Sequence, residues 1–392
     1  MSEEKKQVQI CSILDTDLYK LTMQQAVCEQ FPRAEAMYQF IDRQKRQYSL
    51  EFVKELKQSV AAMRDLRMFD DERVYLKDTC PYLTPVYLDF LRGYQFNPDE
   101  VDIELDKEGH LQITVIGPWY KTILWEVPIL ALVSELYFEM SSSDVKKKKE
   151  EIEASDLIKL EMIKALLRAI ADFGTRRRYS FKNHNRIIKL FKDVLVGTSN
   201  VYLAKKHGLK PIGTQAHEWF MFIGAIFGYK AANRIALEKW AEVYNGDLGI
   251  ALSDTYGTKA FLQAFDLRLS KLFDGVRHDS GDPLIFADKV IKHYEEHGID
   301  PKSKTIIFSD GLNLSKAREI SQHCEGRIKD SYGIGTNLTN DVSVDPLNIV
   351  MKLTGASMNG TTWANAIKLS DDTGKYTGNS DDVEIARRVL GV

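Results

Sequence analysis

Thr305-Ile-Ile-Phe-Ser-Asp-Gly311 is a short apolar run that stops on a serine, an aspartate and a glycine before a helical pattern begins. The same unit recurs along the second half of the chain. Val194-Leu-Val196 precedes Gly-Thr-Ser-Asn, Pro211-Ile212 precedes Gly-Thr-Gln-Ala-His, and residues 248–252 precede Ser-Asp-Thr-Tyr. Gly275-Val276 leads into Arg-His-Asp-Ser, and a last segment leads into Gly333-Ile-Gly335. Repeated strand, loop and helix units predict parallel strands. Chemistry placed after each strand is the habit of an α/β barrel, whose site lies at the C-terminal rim. About six or seven units can be counted, short of a regular eightfold barrel.

Upstream the pattern is mixed. Helical periodicity covers residues 50–65 and 85–94, a strand pattern covers 111–116 and ends at Gly117-Pro118, and residues 144–171 read as one long helix. Acidic residues follow the lysine run at 146–149 at once, so the run reads as a solvated face rather than a nucleic-acid patch.

With 392 residues the chain can hold one large domain and a smaller one. Its 28% charged and 44% hydrophobic residues are ordinary for a soluble globular protein. A net charge of −3 supplies no global basic field, which argues against nucleic acid as a partner. The polar first residues lack the apolar core of a signal peptide. No apolar stretch approaches the roughly 18 residues that span a bilayer, so no membrane partner is expected. The four cysteines are scattered and form no Cys-x-x-Cys pair, which fits a reducing, cytoplasmic setting.

Several loops carry candidate chemistry. Gly213-Thr-Gln-Ala-His-Glu-Trp-Phe220 places His217 beside Glu218, a carboxylate able to orient an imidazole, and neutral imidazole is a competent nucleophile near neutral pH. Gly275-Val-Arg-His-Asp-Ser-Gly-Asp-Pro283 carries Arg277, His278 and Asp279, a set suited to a phosphate ester and its metal ion. Ser309-Asp-Gly311 and Gly333-Ile-Gly-Thr-Asn337 either aim backbone amides at a phosphate or simply close turns. Arg176, Arg177 and Arg178, after Asp172-Phe-Gly, suit a pyrophosphate or form a solvated basic turn. Asp254 and Asp279 can bind ribose hydroxyls, hold Mg²⁺ through water, or act as caps. His293 and His297 have the spacing of a helical metal pair, but Lys292, Glu295 and Glu296 mark a solvated helix face.

Together with Leu14-Asp-Thr-Asp-Leu-Tyr-Lys-Leu-Thr-Met23, Asp172-Phe-Gly-Thr-Arg-Arg177 and Ser331-Tyr-Gly-Ile-Gly-Thr336, the two histidine loops make an ordered set of motifs that resembles the nicotinate phosphoribosyltransferases. The resemblance implies an α/β fold. An irregular, TIM-like parallel α/β barrel of about seven strands over residues 131–345 would carry the active site. A smaller mixed α/β domain would draw on residues 1–130 and 346–392.

It also implies a ligase-type, ATP-dependent synthesis of nicotinate mononucleotide from nicotinate and 5-phosphoribosyl 1-pyrophosphate, in NAD salvage. His217 would be phosphorylated by ATP, with Arg277 and Asp279 also catalytic. The phosphoenzyme would bind substrates tightly, and its hydrolysis would release products. Nicotinate would lie between Phe173 and a Tyr19 reaching in from a neighbouring subunit of a homodimer, near Ser199 and Arg277. The 5-phosphate would meet Asp310, Gly311, Gly333, Gly335, Thr336 and Lys352. Arg176, Thr214, Asp254 and Asp279 would contact the rest of that substrate. ATP and Mg²⁺ are the implied cofactors, the ion arriving on substrate phosphates with Asp279 as its candidate side chain. Thr255, Tyr256 and His278 fall where the family varies and receive no role.

Ser199 stands where the nicotinamide-using relative carries an aspartate. A neutral serine leaves the slot free of a carboxylate and favours the acid substrate. Two rival readings are that nicotinamide phosphoribosyltransferase and, in a different class, a barrel phosphohydrolase with His217, His278, Asp254 and Asp279 as metal ligands.

Overall fold

The computed structural model describes residues 9–141, 149–342, 345–372 and 376–392. Period-two burial builds the first sheet. In strand β1 (Glu35–Asp42) Ala36, Tyr38 and Phe40 are buried, and β2 (Val101–Leu105) and β3 (Leu111–Pro118) show similar alternation. Such strands give one face to a core and the other to solvent. β3 runs through Gly117-Pro118, beyond the stop expected there.

The parallel strands follow, as short and largely buried runs. They are β4 (Ala169–Asp172), β5 (Gly197–Thr198), β6 (Ile250–Leu252), β7 (Gly275–His278), β8 (Thr305–Phe308) and β9 (Lys329–Ile334). They form a six-stranded sheet in the order β5-β4-β9-β8-β7-β6, and every pairing is parallel. The expectation of about seven barrel strands needs correction on two counts. Pro211 makes only an isolated bridge to Thr198, closed by Ile212 N donating to the Thr198 carbonyl and Thr198 N donating to the Lys210 carbonyl. Among the described residues, β5 and β6 are not paired to each other, so the ladder does not close.

The chain then returns to the first sheet. β10 (Ile349–Ser357) pairs with β1, and β11 (Trp363–Asn365) pairs with β10, giving an antiparallel order β11-β10-β1-β3-β2. This sheet therefore combines strands from both ends of the sequence. The helix Lys149–Leu166 stops before β4, so residues 169–171, read as the end of that helix, belong to the parallel sheet. Lys146 to Lys148 lie outside the described residues.

The helix His217–Phe227 packs against β10 and β11 of the antiparallel sheet and against the helix Tyr229–Tyr244. Trp219, Phe220, Met221, Phe222 and Ile223 are all buried, so it is apolar all round. Trp119 stacks on Phe222 with ring centroids 3.9 Å apart, and Trp219 Nε1 donates to the Ala236 carbonyl at 2.9 Å. His217 thus sits at the first position of a helix that is held firmly on several sides. No helix among the described residues is long and apolar enough to cross a membrane.

Candidate active site

Two adjoining cavities open where the C-terminal ends of the parallel strands face the antiparallel sheet. The first, about 750 Å³, is a slot walled by Tyr19 and Phe173 and bordered by His217, Ser199 and Lys352. The second, about 1220 Å³, is rimmed by Arg177, Ser309, Gly311, Gly335 and Thr336. Phe173, Arg176, Arg277 and Asp279 border both.

Asp172, at the end of β4, fixes the turn that presents Phe173. Its Oδ1 accepts from Gly174 N at 3.0 Å, while Oδ2 takes Thr198 Oγ1 at 2.6 Å and faces His184 Nε2 at 2.7 Å. Gly333 serves the same ring. A Cβ there would lie 2.4 Å from Phe173 Cδ2, so Gly333 makes room for Phe173 and borders neither cavity. Tyr19 belongs to the same chain as Phe173 and lines the same slot. The subunit sharing implied for Tyr19 is thereby corrected, because one chain supplies both walls.

The three consecutive arginines part company. Arg176 and Arg177 face the cavities, but Arg178 is buried and grips Asp15 with two bonds, Nη1–Oδ1 at 2.7 Å and Nη2–Oδ2 at 2.9 Å. Arg178 anchors the N-terminal segment and is no anion ligand. Arg277 is held flat by four acceptors: Ser309 Oγ at 2.8 Å, Thr214 Oγ1 at 3.0 Å, the Gln215 carbonyl at 3.1 Å and Asp279 Oδ1 at 2.8 Å. A guanidinium fixed in this way presents its charge at little entropic cost.

His217 is clasped on both nitrogens. Nε2 lies 2.9 Å from Asp279 Oδ2 and 2.9 Å from Lys368 Nζ, while Nδ1 lies 3.0 Å from Thr255 Oγ1. With Nε2 protonated, the ring donates to Asp279 and Nδ1 accepts from Thr255. With Nδ1 protonated, it donates to Thr255 and Nε2 accepts from Lys368. Burial, with help from Lys368, pushes the imidazole pKa down to about 4, so the ring is neutral at ordinary pH. Despite burial, Arg277 and His217 hold the Asp279 carboxyl well below the usual range.

Glu218 does not orient this ring, contrary to the sequence reading. It turns away to Lys20 and to Tyr38 Oη, which donates to its Oε2 at 2.6 Å. Nor is the slot free of carboxylates. Ser199 Oγ donates to Asp17 Oδ1 at 2.6 Å, and Asp17 borders the slot, so the Ser199 argument for the acid substrate loses its premise.

Asp254 is buried, borders neither cavity and accepts from Ser280 Oγ at 2.7 Å. Asp310 borders neither cavity, although its neighbours Ser309 and Gly311 do. Thr214 lines the slot, and Lys352 faces it from β10 rather than joining the glycine-rimmed cavity, so the single phosphate cradle is divided. Burial, with Lys368 and Arg176, pushes the Lys352 pKa down to about 7. His293 is buried and bonds the Phe265 carbonyl at 2.8 Å, which corrects the solvated face expected there.

His217, Asp254 and Asp279 bring three metal-ligand atoms within 4.8 Å of one another. Lys368 Nζ, however, lies 2.9 Å from His217 Nε2 and 3.0 Å from Asp254 Oδ2, so an ammonium already neutralises this group. Both Asp279 oxygens are bonded as well, and this set does not fit a resident metal ion. His278 lies apart, packed against Phe286 and Phe308. The metal-hydrolase reading thereby loses its centre.

Lys368 was not singled out by the sequence, Thr255 was given no role, and Ser309 entered only as the head of a candidate phosphate turn, because no spacing rule ties them to His217. Lys368 is 151 positions away from it.

The strand-end cleft, rimmed by arginines and Lys352 and lined by two aromatic residues, defines a class: an α/β protein whose cleft suits a planar group beside an anion. The chain belongs to the nicotinate phosphoribosyltransferase family. The model of the nicotinate phosphoribosyltransferase (NAPRTase) family matches residues 168–392, and that of its N-terminal domain matches residues 14–134. A nicotinate phosphoribosyltransferase of Chromohalobacter salexigens is 50% identical over 386 residues, covering 97% of this chain and 98% of that protein. The crystal structure of the Porphyromonas gingivalis nicotinate phosphoribosyltransferase superposes with a TM-score of 0.95 at 46% identity, covering 98% of this chain and 100% of that one. The Vibrio cholerae structure gives 0.92 at 34% identity, covering 98% and 94%.

Proposed function

We propose that this protein joins nicotinate to the phosphoribosyl group of 5-phosphoribosyl 1-pyrophosphate, giving nicotinate mononucleotide and pyrophosphate for NAD salvage in the cytoplasm. The observation that carries this reading is an aromatic slot that opens directly onto an arginine- and glycine-rimmed cavity, with Arg176, Arg277 and Asp279 bordering both. The slot takes the flat pyridine ring between Tyr19 and Phe173. The larger cavity takes the sugar and its phosphates.

Displacement at the anomeric carbon forms the N–C bond from the pyridine lone pair as the C–O bond to pyrophosphate breaks. No proton has to leave the ring nitrogen, so no base is needed there. The chain's task is to align the two reactants and to stabilise charge on the departing pyrophosphate, which falls to Arg176, Arg177 and Arg277. Mg²⁺ enters this reading only as the counter-ion of the substrate phosphates.

Phosphorylation of His217 by ATP is the second part of the proposal. A neutral imidazole with either nitrogen able to present a lone pair, and Lys368 beside it to meet phosphoryl charge, supports it. The P–N bond forms as the bond to the ADP oxygen breaks. The phosphoenzyme then binds substrates more tightly. Pyrophosphate release measured with nicotinate or nicotinamide, each with and without ATP, tests both parts. Equal turnover of nicotinamide would overturn the substrate, and ATP-independent turnover with no labelled protein would overturn the coupling.

A further inference from the structure

Lys20 takes no part in the steps above, yet it is wholly buried and shared between two carboxylates. Its Nζ lies 2.5 Å from Glu126 Oε2 and also bonds Glu218 Oε1. Burying three charges is costly unless the remaining polar atoms are satisfied. Here they are. Tyr38 Oη donates to Glu218 Oε2, Trp119 Nε1 donates to Tyr38 Oη at 2.9 Å, and Arg176 Nη1 reaches Glu126 Oε1 at 3.4 Å. Burial works against the Lys20 ammonium, but Glu126 and Glu218 outweigh it and hold its pKa above the ordinary value.

The two carboxylates lead to different parts of the site. Glu126 meets Arg176, the guanidinium that borders both cavities. Glu218 follows His217 in the first turn of the same helix. Lys20 itself follows Tyr19, one wall of the slot. A continuous line of hydrogen-bonded charge, buried except at Arg176, therefore runs from the ring slot to the base of the nucleophile's helix.

We infer that Lys20 is a positioning residue that transmits the state of His217 to the ring slot through Glu218, Glu126 and Arg176. The inference rests on the phosphohistidine reading above. A phosphoryl group brings up to about two negative charges into the turn that carries Glu218. An ammonium shared by two carboxylates is drawn toward the end that becomes more negative. Glu126, partly released, then turns more of its charge on Arg176 and resets the guanidinium at the slot. A low-dielectric interior makes such small displacements count. Coupling between two sites requires this kind of differential contact in the two states.

The double variant Lys20→Met/Glu218→Gln removes one charge of each sign and leaves Glu126 paired with Arg176. Its readouts are Tm, label on His217 from ATP, and the ratio of the nicotinate KM without ATP to the KM with ATP. The expected result is a folded protein that still takes up label but whose KM ratio has collapsed toward one. A merely structural role would lower Tm and shift both KM values alike, and a ratio kept at the wild-type value overturns the inference. If wild type itself takes no label and shows a ratio of one, the phosphohistidine reading fails and the inference falls with it. An ATP effect present in wild type and intact in the variant sinks the inference alone. Should the double variant not fold, Glu218→Gln, which keeps the side-chain shape and removes one charge, carries the same test: the ratio falls part of the way, or the inference is wrong.

Discussion

Lys352 gives the site a proton-linked anion grip. With a pKa near 7, it is about half protonated at neutral pH, although an exposed lysine would be fully charged. The cause is burial among Lys368 and Arg176 with too little negative charge nearby, a deficit that a bound carboxylate repairs. Taking the ammonium as the binding-competent form, the protonated fraction falls from about one half at about pH 7 to about 3% at about pH 8.5, so the apparent affinity for nicotinate, the anion of the slot that Lys352 borders, should drop about 16-fold.

Below about pH 6 the effect vanishes, because the lysine is then charged with or without ligand. Binding at about pH 7 should take up about half a proton, read by titration calorimetry in buffers of different ionisation enthalpy. Lys352→Arg stays charged throughout and should abolish both the slope and the proton uptake. A pH-independent affinity in wild type, or an unchanged slope in the arginine variant, would refute the reasoning. A slope seen for phosphoribosyl pyrophosphate instead would move Lys352 from the ring carboxylate to a phosphate.

Three further outcomes follow from the same geometry. Because His217 titrates near 4 in the folded chain but about 6.5 when unfolded, the unfolded state binds the extra proton between those values, and stability should fall as pH drops through that window. His217→Ala should flatten that part of the Tm–pH curve, and labelling of wild type should show no break at about pH 6.5; such a break would mean an exposed histidine. Arg178→Met strands the buried Asp15 carboxylate and should cost about 3–5 kcal/mol in urea unfolding; near-wild-type stability would show that the pair is not structural. Mixing inactive Tyr19→Ala chains with inactive Phe173→Ala chains should restore no activity, since both walls belong to one chain. Recovery after subunit exchange would return Tyr19 to a neighbouring subunit.

Local pattern settled the kinds of element but not always their limits. The alternation in residues 111–116 and the apolar run 305–308 are properties of a few adjacent side chains, and both strands form there. Residues 169–171 carried a helical pattern, yet they pair with β9 and β5 as strand, because ladder partners far along the chain outweigh local propensity. Pro211-Ile212, which the repeat pattern called a strand, makes only an isolated bridge to Thr198, since the extent of pairing is set by partners far along the chain.

At the site, sequence supplied what motifs can carry: a loop histidine, an aromatic before a glycine, arginines and aspartates after strands. It could not say which way each side chain turns. Glu218 and Arg178 adjoin His217 and Arg177 in sequence, but both point into buried ion pairs. Lys368, Thr255 and Lys20 reach their partners only through the packing of the parallel strands against a sheet that combines both ends of the chain. Charge pairing in a low-dielectric interior depends on distances of a few ångströms. Such distances are fixed by tertiary packing, and no spacing along the chain records them.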